Sequence, residues 1–366
     1  MSSVTIISSD KNWLEHTAVS QLNNIASLPG VVNTVGLPDL HPGKTPVGAA
    51  IITEGIIYPH LVGNDIGCGM ALFMTELDKR KLKYQRLVKK AESCGSLKEI
   101  RLPGTFEDVS HSPLGTSLGT IGGGNHFAEL QEVETIFSQE VFEQLGYDET
   151  KIMLLVHSGS RGYGQAILDN SLKLYQAQNG LYVTSQGAKE YMKKHNDAIH
   201  WAAINRELIA YRFLKLIGIS TETIKLSDTC HNGIGIKEYD KNPLYIHRKG
   251  ASACDTGAVV IPGSRGSLTY LVMPTNHTEI SGYSLAHGAG RKWERSACRA
   301  KLDSKYTKET IKYTKYKGRV ICNDNNLLFE EAPEAYKNID TVIQSLLEFG
   351  LIEVIATFKP ILTYKA

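Results

Sequence analysis

The sequence contains no apolar run of the roughly 20 residues needed to cross a bilayer. Its first residues, Met1-Ser2-Ser3-Val4-Thr5-Ile6-Ile7-Ser8-Ser9-Asp10, lack a basic region followed by a long apolar stretch. A secretory signal is therefore not expected. Paired cysteines are missing too. Cys68, Cys94, Cys230, Cys254, Cys298 and Cys322 are scattered, with no Cys-x-x-Cys spacing. This argues against a structural zinc framework and for reduced thiols in a cytoplasmic protein. An excess of one charge is also lacking, since the formal net charge is only +2. Nucleic-acid affinity is thus not announced globally, and only local basic stretches bear on it. Finally, no proline- or serine-rich linker divides the 366 residues, which suffice for a large core. The expectation is one large α+β domain over residues 1–366.

What the chain does have is glycine, 33 residues of it, clustered in loops that also carry His, Ser and Arg. That is the composition of a site assembled from loops on a rigid scaffold. Val4–Ser8, Val31–Leu37, Val47–Thr53, Ala71–Thr75, Lys151–Val156, Val259–Ile261 and Leu351–Phe358 read as strands. Glu15–Leu28, entered through Asp10-Lys11-Asn12, reads as a helix, as do Ala188–Ile217, Lys292–Lys301 and Ile339–Phe349. Pro103–Thr120 is loop-like. After the second strand, Asp39 and His41 project to the same side if the backbone stays extended, where they can orient a metal ligand or a substrate. A turn-stabilising Asp beside a surface His is the other reading. Asp78–Ser93 reads as a basic helix with a solvated face. Lys301–Arg319 is strongly basic and interleaved with Tyr306, Tyr313 and Tyr316. It reads either as an exposed charged helix or as a surface where cations meet phosphates and aromatics stack on bases.

The chemistry concentrates in the glycine loops. Gly63-Asn64-Asp65-Ile66-Gly67-Cys68-Gly69-Met70 sets a carboxylate and a thiol three residues apart. A thiolate suits a borderline transition metal, and the carboxylate keeps manganese and iron in play. His126 follows Gly122-Gly123-Gly124-Asn125. His157 opens His-Ser-Gly-Ser-Arg-Gly, His231 sits in Cys230-His231-Asn232-Gly233, and His287 precedes Gly288-Ala289-Gly290-Arg291. A mononuclear site needs about three or four protein donors. Asp65, Cys68, His126, His157 and His231 exceed that number, so two metals sharing Cys68 are one reading. Fewer ligands and a catalytic His is the other. Arg161, Arg248, Lys249, Ser264, Arg265 and Arg291 add donors for an anionic substrate. Gly-Ser-Arg-Gly occurs twice, at Gly159–Gly162 and Gly263–Gly266. These residue types fit a metallophosphoesterase as well as a nucleotidyl transferase.

Seven motifs then stand in a recognisable order: Gly-Asn-Asp-Ile-Gly-Cys-Gly-Met, Gly-Gly-Gly-Asn-His-Phe, His-Ser-Gly-Ser-Arg-Gly, Cys-His-Asn, His-Arg-Lys-Gly-Ala, Pro-Gly-Ser-x-Gly and His-Gly-Ala-Gly-Arg. In this order the chain, from Asp39 to Lys365, resembles the RtcB-type RNA ligases. The resemblance implies mixed and antiparallel sheets flanked by helices, around a site of Gly-rich loops. It implies a GTP- and manganese-dependent ligase that joins 3′-phosphate or 2′,3′-cyclic phosphate RNA ends to 5′-hydroxyl ends. Asp65, Cys68 and His126 would hold one Mn²⁺, and Cys68, His157 and His231 the other. His287 would be the nucleophile that carries GMP. Asn125, Glu129, Asn232, Ser264, Thr269, Gly288, Gly290, Tyr336 and Lys365 would contact the nucleotide, with Arg161, Arg248, Lys249, Arg265 and Arg291 on the substrate. Some features depart from the common pattern: Arg265 stands where a Met is usual, the His loop is shortened to Ser-Leu-Ala-His, and the chain is short. These features resemble a compact branch associated with a release factor H-like protein, and they imply RNA repair. A metal-dependent 2′,3′-cyclic phosphodiesterase without sealing activity is the alternative.

Overall fold

The computed structural model describes residues 2–93, 95–104, 115–239, 242–255 and 257–365. Cys94, residues 105–114 of the Pro103–Thr120 loop, and Ala366 lie outside the described residues.

Lys151–Ser158 shows why the larger sheet forms. Its sequence, Lys-Ile-Met-Leu-Leu-Val-His-Ser, is nearly continuous in apolar residues, the pattern of a strand covered on both faces. Ile152, Leu154 and Val156 enter one core cluster, with Ile209 and Phe213 of the long helix Gln186–Ile217. Met153 and Leu155 enter another, with Phe142, Tyr147 and Phe358. The period of two thus divides one strand between two cores. Around it the sheet runs in the order Val259–Pro262, Thr269–Pro274, Ile352–Tyr364, Phe127–Ile136, Lys151–Ser158, Gly69–Asp78, Thr223–Cys230. All these neighbours are antiparallel, and Arg319–Ile321 pairs parallel to Ile352–Tyr364. A second sheet orders Ser3–Ile6, Val31–His41, Val47–Glu54, Asn242–Lys249 and Asn232–Tyr239. Only its first pair is parallel. Helix Ile339–Glu348 packs its apolar side on this sheet through Val342, Ile343 and Leu346. The fold is α+β with mixed and antiparallel sheets, as the sequence predicts.

The long helix has clear ends. The Ser185 hydroxyl accepts from Ala188 N at 3.2 Å, and Gly218 turns left-handed (φ 68°) to stop it. Elsewhere tertiary contacts move the boundaries. Asp10-Lys11-Asn12 do not cap the first helix, which begins at His16. Instead Asn12 Nδ2 donates to Pro38 O at 2.8 Å. The second strand does not stop at Leu37 but continues to His41, and a register shift between Gly36 and His41 accommodates Pro38. The basic helix starts only at Tyr84, after a 3₁₀ turn over Lys79–Lys81. The helix near residue 292 spans Arg295–Leu302, and the following basic segment is not a helix. Among its described residues only Thr310–Lys312 forms a short 3₁₀ turn. The last strand passes through Pro360 to Tyr364, so the residue after it is drawn inside. The described cysteines are free thiols. Among the described residues no helix is long and apolar enough to cross a membrane.

Candidate active site

Four adjacent strands of the larger sheet end at one place, and each delivers a donor. Cys68 immediately precedes Gly69–Asp78, and His126 precedes Phe127–Ile136. His157 is the penultimate residue of Lys151–Ser158, and His231 follows Thr223–Cys230. The register fixes their levels, because Gly69 stands opposite both Ser158 and Cys230, and Phe127 opposite His157. Neighbouring strands lie about 4.8 Å apart, so donors at adjacent ends can reach one ion. Cys68 Sγ is 3.3 Å from His126 Nε2 and 3.2 Å from His157 Nε2. His157 Nε2 is 3.3 Å from His231 Nε2, and Asp65 Oδ2 is 3.1 Å from His126 Nε2. Two triads result, Asp65–Cys68–His126 and Cys68–His157–His231, with the sulfur common to both.

The far sides of the rings are fixed by backbone. The Nδ1 of His126 lies 3.1 Å from Ile121 O, and that of His157 lies 3.2 Å from Asn125 O. Each therefore turns Nε2 toward the sulfur. Burial, and the neighbouring imidazoles, hold His157 and His231 well below the ordinary histidine pKa, so both are neutral and able to ligate. Burial pushes the Asp65 carboxyl up, but His126, Cys68 and Arg161 outweigh it and hold it below the usual carboxylate range. Burial and the Asp65 charge raise the Cys68 thiol well above its ordinary value. A cation between these groups would remove that proton as it bound. Asp65 Oδ1 is buried without a partner. An acceptor left bare beside a thiol and imidazoles fits a cation of the kind the donors suit, and donor separations of 3.1–3.3 Å fit edges of a coordination polyhedron. No substitution at Gly159 would leave room for this arrangement, since a Cβ there would lie 2.1 Å from Asp65 Oδ1.

His287 closes the group. The strand just before it, Ser284–Ala286, pairs with Ala251–Ala253, and Ala251 N donates to His231 O at 3.1 Å. The His231 and His287 rings are 4.9 Å apart. Gly250, at φ +60°, separates the strands Asn242–Lys249 and Ala251–Ala253, and a Cβ there would come within 2.9 Å of His287 Cε1. Beneath the ring is the fully buried Asp39. Its Oδ2 is 2.5 Å from His287 Nδ1 and accepts from the His287 backbone N–H at 3.1 Å. Asp39 therefore orients His287 and not one of the expected metal ligands or a substrate, and His41, half-buried in the cavity wall with Nδ1 2.8 Å from Asp39 O, is not a surface residue.

One cavity of about 370 Å³ joins these parts. Asn125, Glu129, Asn232, Lys249, Ser264, Arg265, Thr269, Gly288, Gly290, Arg291, Tyr336 and Lys365 all line it beside the five donors and His287. Their states differ. Asn232 is spent on backbone: its Nδ2 donates to Asp65 O and its Oδ1 accepts from Gly250 N. Glu129 accepts from Gln131 and Thr363, and burial lifts its pKa to about 7. Lys249 donates to Thr45 Oγ1 at 2.6 Å, and burial lowers its pKa to about 8. Lys365 is buried, not frayed, and donates to His126 O at 3.0 Å. Arg265 donates through Nη2 to Ile311 O, while its buried Nη1 has no partner. Arg291 is committed to Glu331, Tyr336 and Glu330 O.

Two expected substrate cations do not line this cavity. Arg248 lies beneath its strand, donating to Ser284 Oγ and Tyr283 O, both at 2.9 Å. Arg161 adopts a positive φ of 58° and folds over Gly122, with Nε 3.4 Å from Thr120 Oγ1. Both brace loops. Other residues on the wall carried no assignment in the sequence, among them Glu331, Arg295 and Thr363. Glu331 accepts from Tyr336 OH and from Arg291, and its nearest signal was the neighbouring Tyr336. Asn205 and Arg206, on the long helix, were also missed as site residues. Arg206 Nη1 donates to Gly67 O and Ser158 O, and Asn205 Nδ2 to Ser158 Oγ and Gly159 O. They tie the Asp65–Cys68 loop to the His157 loop.

The buried thiol shared by two donor triads and the carboxylate-held histidine thus face one cavity. The chain belongs to the RtcB family: the sequence profile described as "tRNA-splicing ligase RtcB" matches residues 21–98 and 88–366. The chain is 43% identical to the RNA-splicing ligase RtcB2 of Escherichia coli, covering 99% of this chain and 95% of that protein. It is 30% identical to the tRNA-splicing ligase RtcB of Nanoarchaeum equitans, over 99% and 95% of the two chains. With the same-named protein of Archaeoglobus fulgidus the identity is 27%, over 95% and 91%.

Proposed function

We propose that this protein is a GTP- and manganese-dependent RNA ligase that joins 3′-phosphate or 2′,3′-cyclic phosphate ends to 5′-hydroxyl ends. Family membership and the relatives' names support RNA ligation. The observation that carries the nucleotidyl step is the Asp39–His287 pair, whose His287 lines one cavity with both donor triads. With Nδ1 engaged by Asp39, the lone pair of His287 lies on Nε2, the atom free to attack. Asp65, Cys68 and His126 would hold one Mn²⁺, and Cys68, His157 and His231 a second. Bound there, the ions supply Lewis-acid stabilisation of charge on phosphoryl oxygens.

His287 Nε2 attacks the α-phosphorus of GTP, the α–β bridging bond breaks, and pyrophosphate leaves. Asp39 stabilises the positive charge that develops on the ring. A cyclic phosphate end is opened by water to a 3′-phosphate. That phosphate takes GMP from His287, and the 5′-hydroxyl then displaces GMP to form the phosphodiester. Glu331, Tyr336, Lys365 and the free Nη1 of Arg265 form the polar wall against which the guanine is held. Arg265 in place of a Met supports a place in the compact, repair-directed branch with a functional link to a release factor H-like protein. Free thiols support a cytoplasmic setting.

Intact-protein mass after incubation with GTP and Mn²⁺ tests the step. Wild type gains one GMP and His287→Ala gains none, while His287→Ala still opens a cyclic phosphate end. Absence of an adduct in metal-loaded wild type would replace this reading by the non-sealing phosphodiesterase.

A further inference from the structure

Two basic runs far apart in sequence meet on one surface beside the cavity. Residues 79–90 carry seven Lys or Arg and no acid, and residues 292–317 carry nine against three. Tyr84 OH of the first run donates to Lys317 O of the second at 3.3 Å. Arg319 locks the junction, bridging Glu92 at 2.7 Å and Glu309 at 2.8 Å and so neutralising two of the nearest carboxylates. The surface is continuous with the site. Arg291 and Arg295 line the cavity, and helix Arg295–Leu302 leads away from it for about 9 Å to Lys301. Lys301, Lys308, Lys315 and Lys317 are exposed and form no ion pair among the described residues.

Charge asymmetry separates this patch from ordinary solubilising surface. The chain as a whole has a net charge of +2, so the excess in these two runs leaves the remainder net acidic. The patch is also aromatic. Lys292 and Lys301 lie over Trp293, Lys315 over Tyr316 and Arg319 over Tyr313, at 4.4–5.3 Å from the ring centroids. Tyr313 is 56% exposed, although its size and apolarity favour burial. Cations that track a backbone, interleaved with rings on which bases stack, are the requirements for single-stranded nucleic acid. An acidic protein would use the charge but has no need of the exposed ring.

We propose that this surface, residues 292–317 with the helix Tyr84–Glu92, is the track on which a single-stranded RNA end docks as it enters the cavity. The proposal takes the RNA substrate from the function proposed above. The test uses the full chain and a fluorescent single-stranded RNA with a 3′-phosphate, its binding followed by polarisation across a salt series. Lys301→Ala/Lys308→Ala/Lys315→Ala/Lys317→Ala weakens binding about tenfold or more, and lowers the log–log salt slope by roughly 0.7 for each phosphate left without its cation. Lys83→Ala/Arg86→Ala/Lys89→Ala acts in the same direction, and Tyr313→Ala weakens binding about tenfold with the slope unchanged. Lys193→Ala/Lys194→Ala, exposed on the long helix, leaves binding as in wild type. GMP-adduct formation needs no RNA and stays at the wild-type rate in all of them. Unchanged RNA affinity and salt slope in both the Lys301/Lys308/Lys315/Lys317 and the Lys83/Arg86/Lys89 variants overturns the proposal, and leaves an acidic protein as the partner of the patch. Failure of wild type to form the adduct would fall on the function reading alone.

Discussion

Asp39 is fully buried, and one of its oxygens, Oδ1, has no hydrogen-bond partner. Such an unpaired buried oxygen costs folding energy, while the other oxygen holds His287 at two points. Asp39→Asn keeps the shape but offers an N–H or an amide oxygen where the ring needs a carboxylate. We expect GMP labelling to slow about 10²- to 10⁴-fold, with Tm no lower than in wild type. Labelling of Asp39→Asn at the wild-type rate would show that Nε2 needs no such partner. At this scale much of the candidate site was legible in sequence, because the metal and phosphate chemistry proposed for it demands rare residue types on permissive backbone. Asp65, Cys68, His126, His231 and His287 stand in or beside glycine-rich loops, and His157 at the end of a strand that runs into one. Lys365 was legible only through resemblance. Nothing local says that a lysine beside a chain end is buried against His126 O. The placement of Arg248 behind its strand was equally hidden, since alternation tells which residues share a face but not which face meets the cavity.

Elements matter here because strand ends, not whole loops, position the donors. The long helix fastens two of those ends through Arg206, whose side chain is 2% exposed. Its guanidinium reaches Gly67 O, Ser158 O and Asp228 together. Arg206→Leu should cost about 3–5 kcal/mol, largely because Asp228 is left as a buried carboxylate without its cation. Burial already pushes the Asp228 pKa up against the pull of Arg206. Adding Asp228→Leu should recover part of that stability. It should not recover metal retention, because the Gly67 and Ser158 carbonyls stay untethered. Thermal unfolding beside metal content after dialysis checks both halves, and full metal retention in the double variant would mean that the clamp is only structural. The helix itself was plain from its pattern, and its polar pair was not. Asn205 and Arg206 look like ordinary helical residues until the loops they hold are brought near. The segment after Lys301 misled for a related reason. Its charges suit an exposed helix, yet Gly318, the ion pairs of Arg319 and the strand Arg319–Ile321 pull it into turns.

Across the whole molecule, burial has placed several imidazoles where they must stay neutral. His195 and His247 are both 0% exposed and far from any donor triad in sequence. Each accepts a backbone N–H through Nε2, His195 from Ile234 at 2.9 Å and His247 from Tyr58 at 2.9 Å. Burial lowers both pKa values to about 4, from the ordinary 6.5. The sign follows from proton counting. Above about pH 6.5 neither the folded nor the unfolded chain carries these protons, and stability is flat in this respect. Between 6.5 and about 4 the unfolded chain binds them and the fold does not, so stability falls as the pH falls. Each such proton is worth about 1.4 kcal/mol per pH unit, and two give a slope near 3 kcal/mol per unit in mid-window. Replacing His195 with Gln keeps an acceptor in its place without a titrating group, and should halve that part of the slope. The measurement is the urea midpoint of metal-free protein at pH 7.5, 6.5, 5.5 and 5.0, with His195→Gln in parallel. Equal slopes in the two proteins would mean that the His195 ring is protonated in the fold. The hydrogen bond from Ile234 N would then have to be absent, and with it the tie between the long helix and the strand that begins at Asn232.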